Sequence, residues 1–161
     1  MEVNIRRAKP SEHVWLTGIS FAAKGYWDYS NEYFDIWKDE LIISAAYIED
    51  NTVFVAVADG VVVAYYSIVQ VERDFYSGET KVTKGFWLEH MFVLPEHIGK
   101  GAGKAMYAHA MQFCRDNGID ALKIFADPNA AGFYEKQGAQ YMKECPSSIA
   151  GRSVSLFVDR L

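Results

Sequence analysis

The sequence predicts one mixed α/β domain of the α+β type, with a largely antiparallel sheet of six to seven strands and about four flanking helices. Short runs of alternating or continuous apolar residues have the length of strands. Two of these runs are separated only by Asp59-Gly60, which is a strong hairpin signal because glycine tolerates a positive φ. Other segments carry apolar residues at helical spacing and stop at glycine. The 161 residues fit a single domain over 1–161.

The first third of the chain predicts one strand and two helices. Residues 2–7 alternate polar and apolar side chains, as a half-buried strand does. Pro10 and Ser11 offer a helix start, and Gly25 offers its end. A second helix is expected from about Asn31, with an indistinct end that extends to Ala46. The apolar stripe of the first helix comprises Trp15, Leu16, Ile19, Ala22 and Ala23.

The middle of the chain predicts an antiparallel meander. Residues 53–58 and 61–71 form the two strands of the Asp59-Gly60 hairpin. A third long strand is expected from about Lys81 to Val93, after the turn-like Ser77-Gly78.

The last third predicts two helices and three strands. A glycine-rich turn at 99–103 leads into a helix that ends at Asn117-Gly118, where glycine takes the left-handed cap. Residues 119–126 form a short strand, and Asp127-Pro128-Asn129 opens a helix that stops at Gly138. Strands near 139–144 and 153–159 complete the sheet. The apolar face of the first of these helices comprises Ala102, Met106, Ala110 and Phe113.

Composition excludes several functional classes. The net charge is -5 and no Lys/Arg block occurs, which is unlike a nucleic-acid binder. An acidic surface mildly favours cationic small molecules. No apolar run approaches the roughly 18 residues that span a bilayer, so we expect no membrane partner and a cytoplasmic location. Cys114 and Cys145 lie far apart, as two reduced thiols would.

The richest local signal is the turn from His97 to Lys104. Gly99, Gly101 and Gly103 let the backbone approach a ligand closely, and the following helix begins with unpaired N–H groups and the positive end of its dipole. Lys100 and Lys104 add positive charge to an acidic chain. These features predict a phosphate or pyrophosphate site.

Two other phosphate motifs do not fit the glycine turn. A P-loop would need one more residue after Gly99 and a hydroxyl in place of Ala105. A dinucleotide fingerprint would need glycine at Lys104, and Asp120 begins a strand where the ribose-binding acid should follow one. A structural turn without a ligand remains the simpler alternative.

Two motifs resemble those of the GNAT family of N-acetyltransferases. The segment from Leu94 to Gly103 resembles the family's coenzyme A pyrophosphate loop, Gln/Arg-x-x-Gly-x-Gly/Ala after a strand ending in Val-x-Pro, with Gly101 and Gly103 at the two small positions. Ile98 replaces the usual Gln or Arg, so one side-chain contact is absent or comes from His97. About 26 residues later, the segment 127–139 resembles the second motif, with an Asn, then Phe-Tyr on a short helix, then a Gly.

The resemblance implies acetyl-coenzyme A as co-substrate. It implies that the main chain of Met91, Phe92 and Val93 pairs with the pantetheine arm and polarises the thioester carbonyl. Tyr134 then faces the sulfur and protonates the leaving thiolate, although Phe133 and Tyr134 could be simple aromatic packing. Asn129 bonds the pantetheine arm or neighbouring main chain. The implied cofactor-binding residues are Met91, Phe92, Val93, Ile98, Gly99, Lys100, Gly101, Ala102, Gly103, Lys104, Asn129, Phe133 and Tyr134.

Glu89 and His90 are the candidates for the catalytic base. They are adjacent on one predicted strand, so their side chains point to opposite faces and only one can face the acceptor. The resemblance favours Glu89, because family members often carry a carboxylate about four residues before the oxyanion-binding position, here Val93. A histidine titrates nearer neutral pH, and water is the third alternative. No metal is expected, because His13, His90, His97 and His109 show no zinc-binding spacing.

The resemblance implies that the first pair of helices borders the acceptor pocket, near residues 26–37, and this segment holds six aromatic and three acidic residues. Aromatic faces beside carboxylates suit a cationic amine. Tyr26, Tyr29, Tyr33 and Trp37 lie near one helical stripe, however, and packing in the core is the favoured interpretation. Arg152, in a loop between the last strands, could meet an acceptor carboxylate or form a surface ion pair. The expected partner is a small-molecule amine, and dimerisation through the terminal strands stays open. A non-catalytic acyl-coenzyme A sensor and a protein N-terminal or lysine acetyltransferase are the alternative functions.

Overall fold

The computed structural model describes residues 2–27 and 29–161. Over these residues the chain forms five α-helices and nine strands. The strands are β1 (Asn4–Arg7), β2 (Thr52–Ala58), β3 (Val61–Val71), β4 (Phe75–Ser77), β5 (Thr80–Val82), β6 (Gly85–Val93), β7 (Ala121–Ala126), β8 (Gln140–Pro146) and β9 (Ser153–Arg160). The helices are α1 (His13–Gly25), α2 (Asn31–Leu41), α3 (Ala45–Asp50), α4 (Ala102–Asp116) and α5 (Ala131–Lys136).

Seven strands form a mixed sheet in the order β1-β2-β3-β6-β7-β9-β8. The pairs β1–β2, β2–β3, β7–β9 and β8–β9 are antiparallel, whereas β6 and β7 run parallel. The parallel pair is expected where a helix, here α4, connects two strands of one sheet. The predicted fold class, α/β of the α+β type with a largely antiparallel sheet, is confirmed.

The described chain comprises two compact units, and the single domain over 1–161 stays a prediction. The first unit holds residues up to Ile68 together with His90–His109. Its core lies between α1, α3 and one face of β2 and β3, because alternate strand residues point to the same side. Its buried members are Leu16, Ile19, Ile43, Ile48, Val53, Val55 and Tyr65.

The second unit comprises Val69–Glu89 and Ala110–Leu161. Strand β7 alternates half-buried and buried residues, with Leu122, Ile124 and Ala126 inward. It pairs along its whole length with β9, from Ala121↔Arg160 to Ala126↔Ser155. This pairing places Phe157, 1% exposed, in the interior of the unit.

The local turn predictions hold where glycine determines them. Asp59 and Gly60 have φ of 50° and 78°, so the β2–β3 hairpin has the two positive angles that its turn requires. Helix α4 ends before Gly118 at φ 68°, and α5 ends before Gly138 at φ 100°.

The predicted long strand over Lys81–Val93 is wrong. Strands β4 and β5 form a separate two-stranded hairpin, and β6 begins only at Gly85. The strand is interrupted at Lys84, because both backbone groups of this residue bond to side chains. Its N–H donates to Asp74 Oδ1 at 2.6 Å, and its carbonyl accepts from Lys123 Nζ at 2.8 Å. Gly85 then adopts φ 138°, a conformation that favours glycine.

Two helix predictions also need correction. Trp15 is 51% exposed rather than part of the buried stripe, and its Nε1 donates to the carbonyl of Val62 at 2.8 Å. The second helix ends at Leu41, and a separate helix, α3, begins at Ala45 after a three-residue connection. Ser44 caps α3 by accepting a hydrogen bond from the N–H of Tyr47.

Candidate functional site

The glycine turn lies between β6 and α4 as predicted. A 3₁₀ turn at Pro95–His97 is followed by Gly99 at φ 79° and Gly101 at φ 91°. A Cβ at either glycine would meet no atom within 4 Å, so the backbone angle, and not crowding, is what favours glycine there. Helix α4 then begins, with the N–H of Ala105 donating to the carbonyl of Gly101 at 3.0 Å.

The start of α4 has the properties of an anion site. The first N–H groups of an α-helix have no partner within the helix and carry the positive end of its dipole. Gly101, Lys100 and Lys104 are exposed, whereas Ala102 is buried and anchors the helix. Ile98 is 38% exposed, and Gly103 is half-buried in the first turn. The chemistry of this turn, N–H donors with two nearby ammonium groups, fits a diphosphate.

Strand β6 enters the turn with its last residues half-buried. Met91, Phe92 and Val93 are neither fully buried nor exposed, and the N–H of Leu94 donates to the carbonyl of Val63 at 2.8 Å. Farther back, β6 pairs with β7 at Phe86↔Leu122 and Trp87↔Lys123, near the start of both strands.

Glu89 and His90 have different surroundings, as their adjacent positions on β6 predict. Glu89 is exposed, and His90 is half-buried. The imidazole of His90 lies among three aromatic rings, with centroid distances of 5.6 Å to Phe92, 6.2 Å to Tyr47 and 6.3 Å to Tyr65.

Two hydroxyl pairs lie beside this aromatic group. Tyr65 Oη is 2.5 Å from Ser20 Oγ, and both residues are fully buried. Tyr47 Oη donates to Ser67 Oγ at 2.9 Å. Ser20, Tyr65 and Ser67 are fully buried, so these hydroxyl pairs belong to the core of the first unit.

Tyr134 lies in the second unit, on α5, and is only 7% exposed. Its ring centroid is 5.3 Å from that of Phe133 and 6.3 Å from that of Phe157. Burial raises the pKa of Tyr134 above its ordinary value, because a phenolate loses its hydration there. The phenol is therefore neutral at physiological pH.

Asn129 occupies the turn that precedes α5. Its N–H donates to Asp127 Oδ1 at 3.0 Å, which forms an Asx turn after β7. Asn129 is exposed and Phe133 is half-buried.

The aromatic segment proposed for the acceptor forms a cluster around Trp37, which is 5% exposed. Ring centroids of Tyr29, Tyr33 and Phe34 lie 4.9, 5.5 and 5.7 Å from that of Trp37. Tyr26 and Trp27 are instead exposed, so Tyr26 does not share the buried stripe. Of the three acids in the segment, Asp28 lies outside the described residues.

The loop after β8 is ordered by its own backbone. The N–H of Ser147 donates to the carbonyl of Arg152 at 3.0 Å, and Arg152 N–H donates to the carbonyl of Ile149 at 3.1 Å. Thr80 of β5 donates through Oγ1 to the carbonyl of Pro146. Arg152 is half-buried at the end of this loop.

Residues 2–27 and 29–161 contain no side-chain cluster suited to a metal ion. Over that part of the chain, no three His, Cys, Asp or Glu side chains are grouped closely enough to hold one. Burial raises the pKa of Cys114 to about 11, so this thiol is a poor ligand and nucleophile. No described helix combines the length and apolar character needed to cross a bilayer.

Comparison with known proteins identifies the family. The family model described as "Acetyltransferase (GNAT) family" matches residues 22–139, which is most of the chain. The chain belongs to the GNAT family of acetyltransferases. Acetyl-coenzyme A is the acyl donor of this family, which agrees with the anion-binding features of the glycine turn.

Two curated relatives share part of the sequence. An aminoglycoside N(6')-acetyltransferase type 1 of Stenotrophomonas maltophilia is 28% identical over 123 residues, covering 67% of this chain and 79% of the relative. An uncharacterized ycf52-like N-acetyltransferase of Prochlorococcus marinus is 29% identical over 62 residues. That second match covers 38% of this chain and only 33% of the relative.

Solved structures of GNAT proteins share the fold. A GCN5-related N-acetyltransferase of Rhodopseudomonas palustris matches with a TM-score of 0.77 at 19% identity, covering 100% of this chain and 97% of the other. The PaiA N-acetyltransferase of Thermoplasma acidophilum, solved in complex with coenzyme A, matches with a TM-score of 0.75 at 17% identity and full coverage of both chains. At these identities the likeness shows the fold.

Three features of this GNAT chain were not predicted from the sequence. The first is the β4–β5 hairpin, and the second is the buried Ser20–Tyr65 hydroxyl pair. The third is a cation on the aromatic cluster: Lys24 Nζ lies 4.3 Å from the ring centroid of Trp37. Lys24 lies just before the aromatic segment in the sequence, but sequence spacing alone could not show which ring its ammonium group contacts.

Proposed function

We propose that this GNAT protein transfers an acetyl group from acetyl-coenzyme A to a primary amine of a small molecule, by direct attack in a ternary complex. The observation that carries the proposal is the glycine turn at the start of α4, with Gly99 and Gly101 at positive φ and two exposed lysines. The aminoglycoside acetyltransferase relative supports a small-molecule acceptor.

The turn and the end of β6 are proposed to hold the co-substrate. The N–H of Ile98 already donates to the carbonyl of Pro95 at 3.3 Å, so backbone N–H groups from Gly99 to Lys104 would bind the pyrophosphate, with Lys100 and Lys104 neutralising part of its charge. Main-chain groups of Met91, Phe92 and Val93 would bind the pantetheine arm. A fixed N–H aimed at the carbonyl oxygen of a thioester contributes roughly 2.7–4 kcal/mol to the lowering of the barrier.

Acetyl-coenzyme A supplies the acetyl group as a thioester, whose C–S bond breaks as the new C–N bond to the amine forms. The attacking nitrogen must be neutral, so a base has to remove its proton. Glu89 is our first choice for this base, since it is exposed and reaches solvent, with His90 and water as the alternatives.

Tyr134 is proposed to protonate the departing thiolate. Its raised pKa keeps the phenol protonated throughout the working pH range. Asn129 and Phe133 are proposed to contact the pantetheine arm from the same segment of chain.

The test is release of free thiol from acetyl-coenzyme A in the presence of a panel of primary amines. Tyr134→Phe should lower kcat by about 100-fold or more while leaving acetyl-coenzyme A binding intact, because only the transferred proton is lost. The matched control is Tyr141→Phe, which alters an exposed tyrosine of β8. Equal turnover by Tyr134→Phe and wild type would remove Tyr134 from the mechanism.

Glu89→Gln addresses the base separately. The variant should lose the acidic limb of the pH–rate profile if Glu89 accepts the proton. An unaltered profile would transfer the role to His90 or to water, and the same measurement on His90→Gln would choose between them.

A further inference from the structure

The chain places one of its own ammonium groups on the aromatic cluster. Lys24, in the last turn of α1, has its Nζ 4.3 Å from the ring centroid of Trp37 and 5.8 Å from that of Tyr29. Both distances are within the range of a cation–π interaction, and Trp is the best partner for a cation.

The two rings form a corner. The ring planes of Tyr29 and Trp37 meet at 81° with their centroids 4.9 Å apart. Tyr33 adds a third ring, 5.5 Å from Trp37 and inclined to it by 61°. An ammonium at this corner therefore faces more than one aromatic surface, which is the arrangement that recognises alkylated or primary ammonium groups.

Helix α2, which carries Tyr33 and Trp37, is acidic. It contains four acidic residues and one basic residue, Lys38; the acidic residues are Glu32, Asp35, Asp39 and Glu40. The whole chain has a net charge of -5. Such a potential concentrates cations near the corner and disfavours anions.

We propose that the Tyr29–Trp37 corner is a binding subsite for an ammonium group of the acceptor, which displaces Lys24. The inference rests on the proposed function for the identity of the ligand as the acceptor amine. A nitrogen that attacks an acyl group must be neutral, whereas a nitrogen held on an aromatic corner is charged. The acceptor therefore carries at least two amino groups, one bound at the corner and one acetylated.

Lys24 acts in this arrangement as a tethered competitor. Its ammonium is held near the rings at a high effective concentration, so a free cation must displace it. Ligands with a single charged group bind weakly under these conditions, and a ligand with a second attachment point in the protein is favoured.

The first experiment measures binding of tetramethylammonium, which cannot be acetylated. Titrations at constant ionic strength would follow the indole N–H resonance of Trp37 by NMR. Lys24→Ala should bind the probe at least about tenfold more tightly than wild type, because the competing ammonium is gone. Lys38→Ala removes an equal charge from α2 and should bind as wild type does.

Ring variants complete the binding experiment. In the Lys24→Ala background, Tyr29→Leu should weaken binding about two- to thirtyfold. Lys24→Gln gives a second background if Lys24→Ala fails to fold. Folded Lys24 variants that bind the probe no better than Lys38→Ala would overturn the subsite.

The second experiment tests the acceptor class. 1,6-Diaminohexane should be acetylated with a higher kcat/KM than hexylamine, which has the same chain and one amine. Tyr29→Leu should raise KM for the diamine and leave that for hexylamine unchanged. Equal effects of Tyr29→Leu on the KM for both amines would contradict the inference. Absence of acetyl transfer to any amine would contradict the proposed function, and the tetramethylammonium titration would then decide whether the subsite exists.

Discussion

Replacing Gly101 by alanine tests whether the glycine turn is set by its backbone. Gly101 has φ 91°, a region that residues with a Cβ rarely adopt. A Cβ added there would meet no atom within 4 Å, so crowding contributes nothing to the effect. The expected destabilisation is the conformational cost alone, about 1–2 kcal/mol.

Gly18→Ala is the matched control, and it should change the free energy of unfolding in the opposite direction. Gly18 lies inside α1 and is exposed, and a Cβ added there would likewise meet no atom within 4 Å. Alanine in a helix interior is favoured over glycine by about 0.5–1 kcal/mol. The two substitutions add the same methyl group in equally open space and differ only in the backbone conformation.

Thermal and urea unfolding would measure both variants. For a chain of this size, 1 kcal/mol corresponds to about 2–4 °C in Tm. Gly101→Ala should therefore melt about 2–8 °C below wild type, and Gly18→Ala about 1–4 °C above it. A Gly101→Ala variant as stable as Gly18→Ala would refute the positive φ and with it the geometry of the turn.

Two further predictions concern polar side chains of the first unit. Tyr65→Phe removes the hydroxyl that lies 2.5 Å from Ser20 Oγ in the core. Ser20 Oγ still donates to the carbonyl of Leu16 in this variant, so the free energy of unfolding in urea titrations should fall by about 0.5–1.5 kcal/mol, and a change within error would show that the Tyr65 hydrogen bond contributes no net stability. Burial lowers the pKa of His109, whose Nδ1 lies 2.9 Å from Tyr66 Oη. Between the folded and unfolded pKa values the unfolded chain binds a proton that the folded chain does not, so the free energy of unfolding should fall as pH decreases from 6.5 toward the folded pKa. His109→Gln should flatten this pH dependence between pH 7.5 and 5.5. An equally steep dependence in the variant would assign it to other titratable groups.

The sequence predicted those parts of the fold that depend on local backbone chemistry. Gly60, Gly118 and Gly138 all adopt the positive φ that their positions in turns and helix ends require. Glycine signals such conformations directly, because other residues are strained there.

The parts that depended on distant residues were not predicted. The strand over 81–93 is interrupted because Lys84 is bonded through its N–H to Asp74 and through its carbonyl to Lys123. Trp15 is turned outward because its indole N–H reaches the carbonyl of Val62, 47 residues away. No periodicity within a short window contains these partners.

The candidate site also has features that local sequence predicts and features that depend on distant residues. Alternation along a strand was enough to predict that Glu89 and His90 have different surroundings. The burial of Tyr134 and the position of Lys24 over Trp37 arise from packing, and neither could be obtained from spacing.

The most direct test of the glycine turn's role is calorimetric titration of acetyl-coenzyme A into wild-type protein, Gly101→Ala and Gly18→Ala. Wild type and Gly18→Ala should bind one equivalent with equal affinity, and Gly101→Ala should bind more weakly because its turn is altered. At 100 times the dissociation constant, the ligand should stabilise wild type by about 2.7 kcal/mol. Absence of binding to wild type, or equal affinity in all three proteins, would contradict the claim that the glycine turn holds the acyl donor.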